Sequence, residues 1–463
     1  MPDTVDVKSI QHQGMEKKYW LMTRPLRGGS SAMREKRTLL LPKEKFESDE
    51  AYNNRLKRTW LYDGYNQAVR AAVSKPFSSQ VTVIGDLPNS LAMIPQNVDR
   101  QGTNLTDFAR KFYDAMIDDG VAHILVMYPP VPDNATAADE INLDIRPYFR
   151  LVRAQDMIGW RTDTDVGGRE YLSQIRIAET SVVPAGQWSD AKLDRVYVVR
   201  PGYMASYFKS GDRGYMLEWE SENVSTGIPL VTAYSNRTGY LTGSPPLLGV
   251  AESNVAHWQS ASDQANILRM SRFAILYAKG FSDEELSAGL DIGPKTLVAS
   301  RNPESDLRYV EVTGAALDAG HVDIKDKEEQ MIIGGLQPFV TRSGNVTATE
   351  QMISQDKSQN DILAWIQTCE MALELAFRYA AEWVGTELPE DFKVDIYSDF
   401  GVASASGEEI KSLILARQSR LISRETFLRE VRRRGFLAEN TDIDTEAEAL
   451  DAEGPSLADI GMV

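Results

Sequence analysis

TATEQMISQDKSQNDILAWIQTCEMALELAFRYAAEW, from Thr347 to Trp383, contains neither Gly nor Pro and reads as one uninterrupted helix. At about 1.5 Å per residue it would be roughly 55 Å long, several times the usual ~11–12 residues. Thr347 with Glu350 three positions on makes a capping box, and Gly385 supplies a C-terminal stop. Ile362, Ile366, Cys369, Leu373, Phe377, Ala380 and Val384 recur at three/four spacing, so one stripe must be buried. The first third, from Gln351 to Asn360, is far more polar. The helix is therefore expected to run from a solvent-lined zone into a packed core, as a scaffold and not as part of a catalytic pocket.

Around that helix, 463 residues with 42% hydrophobic content can bury a sizeable core and predict two to four domains or subdomains. No run of about 18 apolar residues occurs, and MPDTVDVKSIQHQGMEKKYW has no apolar stretch after its charges. Neither a membrane span nor a secretory signal is predicted, and the chain is expected to stay in a cytoplasm. One cysteine, Cys369, excludes an intramolecular disulfide and a thiolate metal cluster, and its place on the apolar stripe reads as a small buried hydrophobe. The net charge of −17 argues against a protein that grips nucleic acid over its whole surface. Charge is uneven, however. Bases recur between Lys17 and Arg70, while the tail after Ala438 carries acids and no base. Such asymmetry suits a protein with several partners, or simply a solvated face and an acidic tail.

Ser48 to Val73 reads as a helix with Ser48 as N-cap, stopped at Lys75-Pro76-Phe77, and SSQVTVIGDLP as a strand and turn. Leu105 to Asp118 is a second helix before Gly120, and VAHILVMYPP a buried strand. YFRLV, LSQIRIA, RVYVVR and IPLVTAY then read as strands, giving one mixed α/β domain over residues 48–240. Pro245-Pro246 opens a helix from Leu247 to Arg272 whose polar middle can be buried only along a narrow line, against similar neighbours. An irregular insert, Phe273 to His321, precedes a helix from Asp323 to Ile333 with Asp323 as N-cap, broken at Gly334-Gly335. After the long helix FKVDIY reads as a strand, and residues 407–434 as two short helices split at Ser423.

Chemical motifs are missing: there is no phosphate loop, no GxGxxG after a strand, no HExxH and no GxSxG. His12, His123, His257 and His321 are scattered, and His123 reads as a satisfied core residue. Asp118-Asp119, Glu328-Glu329 and Glu408-Glu409 could be imagined around a hard cation, but solvated charge on a helix is the default. Arg417, Arg420, Arg424, Arg429, Arg432, Arg433 and Arg434 could touch phosphate, an acidic partner or a neighbouring subunit.

The order of elements resembles that of the tailed-phage portal protein. LPKEKFESDEAYNNRLKRTWLYDGYNQAV, GVAHILVMYPP, LVRAQDMIGW, GSPPLLGVAESNVAHWQSASD and MIIGGLQPFVTRSGNVTATEQ resemble a portal family formerly known only as a domain of unknown function. The resemblance spans about residues 37–440. It implies an α+β portal fold: an N-terminal arm (1–47), a mixed α/β wing (48–246), a stem helix (247–272), a small α/β clip (273–321), a second stem helix (322–333), a tunnel loop (334–346), a long wing helix and strand (347–406), helical crown (407–437) and acidic tail (438–463). It further implies a non-enzymatic structural protein of the virion, at the capsid vertex, assembled in the host cytoplasm. Copies would form a dodecamer, a head-tail connector whose DNA channel serves viral genome packaging and ejection. Its partners would be double-stranded DNA, the large terminase, a head-tail adaptor, the major capsid protein and scaffold. No cofactor, metal or membrane is implied.

On this resemblance the tunnel-loop side chains expected near DNA are Gln337, Thr341, Arg342, Ser343 and Asn345, with Gly334, Gly335 and Gly344 giving the loop freedom. An ordinary surface loop is the plain alternative. Lys279, Lys295, Arg301 and Arg308 are candidate clip residues for docking terminase or adaptor, against scattered surface charge. The alternative function is a metal-dependent nucleic-acid-processing enzyme using carboxylates such as Asp395, Asp399 and Glu408. Without a phosphate loop, packaging energy would have to come from a separate ATPase.

Overall fold

A computed structural model describes residues 4–129, 144–222, 227–271, 275–282, 302–310, 314–336, 348–398, 407–419 and 421–433. The protein is mixed α+β and divides into two units, Met1–Phe77 with Val81–Asp395, and Ser78–Gln80 with Ile396–Val463. In the larger unit the chain begins with α1 (Ile10–Met15), a π-helical turn (Glu16–Trp20), α2 (Leu21–Arg27) and α3 (Gly29–Glu35). Met15, Trp20, Leu26 and Met33 are buried, so these basic-flanked helices pack through an apolar side.

The single helix expected from Ser48 to Val73 is two: α4 (Asp49–Arg58), capped by Ser48 accepting from the Ala51 amide at 3.1 Å, and α5 (Gly64–Ser74). Thr59 is extended, and a distant side chain satisfies the backbone this break exposes. Asn254 donates to the Tyr62 carbonyl at 2.9 Å and accepts from the Tyr65 amide at 2.8 Å. Helical periodicity in 48–73 carries no information about Asn254. That is why the break was not legible locally.

β1 (Thr82–Ile84) is followed by α6 (Leu105–Asp119), capped by Asn104 and closed by Gly120 at φ +84. β2 (Val121–Met127) is the buried centre of a three-stranded antiparallel sheet between β3 (Tyr148–Arg153) and a later strand. β4 (Met157–Thr164), β5 (Glu170–Pro184), β6 (Asp190–Arg200), β7 (Tyr203–Lys209) and β8 (Tyr215–Glu222) form a five-stranded antiparallel meander in chain order. β9 (Leu230–Tyr234) completes the smaller sheet, and β10 (Arg237–Gly239) pairs with β11 (Thr242–Gly243). Leu125 and Val152 of the smaller sheet share a core with Met157, Ile175, Ile177 and Val199 of the meander. Sequence reading missed β4, β7, β8 and the short β10 and β11. β4 is interrupted by Gly159, and β8 is almost wholly exposed, so neither shows a clean apolar alternation.

α7 (Leu248–Ser271) lies within a residue of its expected bounds, and β12 (Ile275–Lys279) pairs antiparallel with β13 (Asp306–Val310). α8 (Gly314–Met331) begins nine positions before the expected Asp323, so Asp323 is mid-helix and pairs with Lys327 instead of capping. Nor does Gly334-Gly335 break the helix, because a π turn (Ile332–Leu336) carries the chain through both glycines. Gly335 is buried, and a Cβ there would lie 2.8 Å from the Ala68 Cβ and 2.9 Å from Val250 Cγ2. The glycine allows three elements to approach closely and does not loosen a loop. Gly335→Ala is expected to cost about 1–3 kcal/mol by overpacking. A thermal unfolding midpoint equal to that of the unmodified protein would show that this approach is not tight.

α9 (Ala348–Trp383) spans 36 residues without interruption, as the opening stretch predicts. Ile362, Ile366, Cys369, Leu373, Phe377 and Ala380 are buried, and burial pushes the Cys369 thiol up, away from thiolate chemistry. The Thr347–Glu350 box and the polar side chains 351–359 lie outside the described side chains. At the other end Gly385, at φ +65, places its amide 3.2 Å from the Glu382 carbonyl, and the Thr386 amide bonds Ala381 at 3.0 Å, a Schellman stop. Phe377 stacks edge-on to Phe149 of β3 at 5.2 Å and lies 5.3 Å from Phe392, so α9 packs on the smaller sheet. β14 (Lys393–Asp395) pairs antiparallel with β1. In the second unit α10 (Gly407–Gln418) and α11 (Arg424–Arg433) flank Ser423, which caps α11 by accepting from the Thr426 amide at 3.1 Å.

Candidate functional site

α7 and α8 run antiparallel, as their contacts show. Val250 lies against Gly335, His257 Nε2 is 3.2 Å from Glu328 Oε1, Ser260 bonds Asp323, and Gln264 donates to the Leu317 carbonyl at 2.8 Å. Residue numbers rise on one helix as they fall on the other. Gly320 has no side chain because the Gln264 amide occupies that space. The polar middle of α7, read as a face for similar neighbours, is thus largely consumed within the chain. Ser262 bonds Thr59 at 3.0 Å, Gln259 donates to the Leu40 carbonyl at 2.9 Å, and Asn254 holds the α4–α5 link. His257 is buried beside Trp60 and Tyr62, and burial holds its imidazole below its ordinary pKa.

Beyond the far end of this helix pair stands the β12–β13 hairpin, which brings together two of the four expected docking residues. Tyr277 faces Arg308 across the ladder and Lys279 faces Asp306, so all four side chains share one face of the hairpin. Arg308 sits 5.4 Å over the Tyr277 ring, with its Nε 3.5 Å from Asp306 Oδ2. Lys279 and Arg308 are exposed, but Asp306 offsets part of their charge. Lys295 and Arg301 lie outside the described residues, as do Gln337, Thr341, Arg342, Ser343 and Asn345. Of the carboxylates weighed for metal chemistry, Asp395 is exposed on β14, Asp399 lies outside the described residues, and the Glu408 and Glu409 side chains are not described. Among the described residues no group of three His, Cys, Asp or Glu could hold a metal. Arg429 pairs with Glu425 at 2.5 Å along α11, while Arg420 and Arg434 lie outside the described residues.

Sequence reading placed Asp118 and Asp119 in solvent, and here the structure overturns it. Both are buried, 2% and 0% exposed, at the last turn of α6. Arg153 of β3 spans the two, its Nη2 2.7 Å from Asp118 and its Nε 3.0 Å from Asp119. Tyr65 donates to Asp118 at 3.0 Å and Gln155 to Asp119 at 2.5 Å. Arg27 of α2 pairs with Asp114 at 2.7 Å and reaches Asp118 at 3.6 Å. Burial, opposed by Arg153 and reinforced by Asp118, pushes the Asp119 carboxyl up to about 7. The cluster ties α2, α5, α6 and β3 together and contains no nucleophile. One signal was available: two acids in a helix's last turn oppose the macrodipole, so they require cations from elsewhere. His123 is half of what was expected. Its Nδ1 meets Thr232 Oγ1 at 2.9 Å, but Nε2 is buried with no hydrogen-bond partner among the described residues, and burial lowers its pKa to about 3.

No helix among the described residues is long and apolar enough to cross a membrane. The profile of a family described as "Domain of unknown function (DUF4055)" matches residues 246–384, the segment from the start of α7 to the end of α9. No curated protein matches the chain. Among solved structures, a chain from the neck of an empty GTA particle, computed with C6 symmetry, is similar at 9% identity and TM-score 0.44, covering 81% of this chain and 90% of that one. One from the neck of a native GTA particle, computed with C12 symmetry, gives 8% and 0.40, covering 79% and 88%. One from the virion of a native gene transfer agent (GTA) particle gives 9% and 0.41, covering 85% and 96%.

Proposed function

We propose that this chain is the subunit of a phage-type portal, a ring at one capsid vertex through which double-stranded DNA is packaged and ejected. The observation that carries the reading is the order α/β body, helix, β-hairpin, antiparallel helix and 36-residue helix, with α7 and α8 zipped side by side and the hairpin set beyond them. In this reading α7 and α8 are the stem, β12–β13 belongs to the clip, α9 is the spine of the wing, and α10 and α11 form the crown. Residues 337–346 form most of the tunnel loop, with Arg342 its one full positive charge. Terminase and then the adaptor dock on the clip face bearing Lys279 and Arg308. Capsid protein and scaffold meet the outside of the ring.

Two physical features support it. The exposed side chains of α8 include Asp318, Asp326 and Glu329, with Lys325 among them. DNA carries one charge per roughly 1.7 Å of axis, so an acidic wall holds it weakly and lets it slide. Secondly, α7, α8, the π turn after α8 and α9 leave Leu268, Val322, Ile333, Met371 and Leu375 exposed, Met371 by 69%. Apolar surface on helices of this kind is what neighbouring copies in a ring would cover. The enzyme alternative rests on Asp395, which is exposed on β14, and on Asp399 and Glu408, which lie outside the described residues and side chains.

Native mass and particle images of the purified protein test the proposal. A closed ring of about twelve copies with a central hole is expected, together with no ATP hydrolysis. A persistent monomer, or ATPase activity abolished by mutating the chain's own carboxylates, would overturn it.

A further inference from the structure

The meeting of α5, α6 and β3 forms a cleft of about 560 Å³ that the portal reading does not use. Arg70 from the last half of α5 and Arg110 and Lys111 from α6 line it. All three are exposed and make no hydrogen bond or ion pair with any described residue. Several other arginines are matched, Arg150 to Glu179 at 2.7 Å, Arg195 to Glu218 at 2.8 Å, and Arg55 to Glu47 at 2.8 Å. Asp114, the carboxylate on the cleft wall, is already held by Arg27, and Arg153 at its base is held from behind by Asp118 and Asp119. Gathering like charges without a counter-charge costs repulsion, which an incoming anion relieves.

We propose that this cleft is a docking site for an acidic peptide segment of a partner protein. Two arginine forks and a lysine suit carboxylates at spaced positions. Val73 and Leu151 give the floor an apolar patch on which a hydrophobic residue between the acids would rest. The same cations could meet phosphate, but a duplex would also contact the surrounding surface, and the chain carries a net charge of −17. A cleft that sets apolar Val73, Ala115 and Leu151 beside Arg70, Arg110 and Lys111 suits an extended chain that alternates acidic and apolar residues.

The test is fluorescence anisotropy on the full-length protein with a fluorescein-labelled peptide of alternating Glu and Leu, with inorganic phosphate and a short DNA duplex as separate arms. Saturable binding is expected, weakening at least tenfold in the Arg110→Glu/Lys111→Glu double variant and by a smaller factor in Arg110→Lys, which keeps the charge but not the fork. It should also weaken several-fold between 50 and 200 mM salt, roughly as a few charge contacts require. Arg70→Glu, on the other helix, gives a second reading should the double variant fail to fold. Peptide binding that is absent, or unchanged in the charge-reversed variants, overturns the proposal. So does phosphate binding without peptide binding, and so does tighter binding of the duplex through the same residues, which would reassign the cleft to nucleic acid.

Discussion

Replacing Arg153 by Ala is expected to destabilise the larger unit by about 3–5 kcal/mol at pH 8, and by clearly less at pH 5. Arg153 is the cation that spans two adjacent buried carboxylates, at 2.7 Å from Asp118 and 3.0 Å from Asp119. Its loss leaves like charges side by side in the interior. The pH dependence follows from Asp119, whose carboxyl burial already pushes up to about 7 while Arg153 holds it down. An acid with a raised folded pKa binds its proton more tightly in the folded than in the unfolded chain. The folded form therefore carries more protons from about pH 4, the unfolded value, up to the folded pKa, and stability falls as pH rises through that window. Without Arg153 the folded pKa climbs further, so the window widens upward and the penalty at pH 8 deepens. At pH 5 a protonated Asp119 is neutral and still accepts from Gln155. Urea midpoints at the two pH values measure this, and Arg153→Lys should fall between, keeping the charge but not the two-pronged reach. An equal loss at pH 5 and pH 8 would sink the assignment of the penalty to buried charge.

Elements whose stabilisation is local were legible in the sequence. α9 announces itself by a sustained apolar stripe and an αL glycine at Gly385, and β2 by a continuous apolar run after Gly120. Where the deciding partner is remote, reading failed. The break between α4 and α5 depends on Asn254, and the passage of the chain through Gly334 and Gly335 depends on Ala68 and Val250. The start of α8 was missed because GAALDAGHV looks like a turn by its glycines, one of which makes room for Gln264.

The same division governs the candidate sites. The hairpin that gathers Lys279 and Arg308 on one face lies in a stretch read as an irregular insert, and both that shared face and the weight of Asp306 depend on the register between its two strands. Asp118 and Asp119 look solvated because helix-surface charge usually is. Their burial is decided by β3, which supplies Arg153, and by α5, which supplies Tyr65. The cleft lined by Arg70, Arg110 and Lys111 has no sequence motif at all, since two helices and a strand create it and its significance lies in the partners those side chains lack.

Gly120→Ala is expected to destabilise the larger unit severely. Gly120 ends α6 at φ +84, its amide bonding the Met116 carbonyl at 3.0 Å, and hands the chain directly to β2. An L residue held there costs about 1–2 kcal/mol in backbone strain alone. A Cβ at this position would also overlap the backbone of Ser244, whose N, C and O all lie well inside contact distance, and backbone cannot swing aside as a side chain can. The Gly120 carbonyl meanwhile accepts from the Ser235 amide at 3.1 Å and presses against Gly243, so the strand cannot retreat without losing that bond. A summed loss of about 4 kcal/mol or more, a fall of roughly 10 °C in the unfolding midpoint or failure to fold, is the expected result. Gly102 is the matched comparison, because it has φ +89 but nothing within 4 Å of an added Cβ. Gly102→Ala should show the strain alone, a drop of a few degrees. Equal losses in the two variants would mean that the close approach at Ser244 is not what demands glycine at position 120. A much larger loss at Gly120 would place the junction of α6, β2 and the segment leading into α7 among the tightest points of the fold.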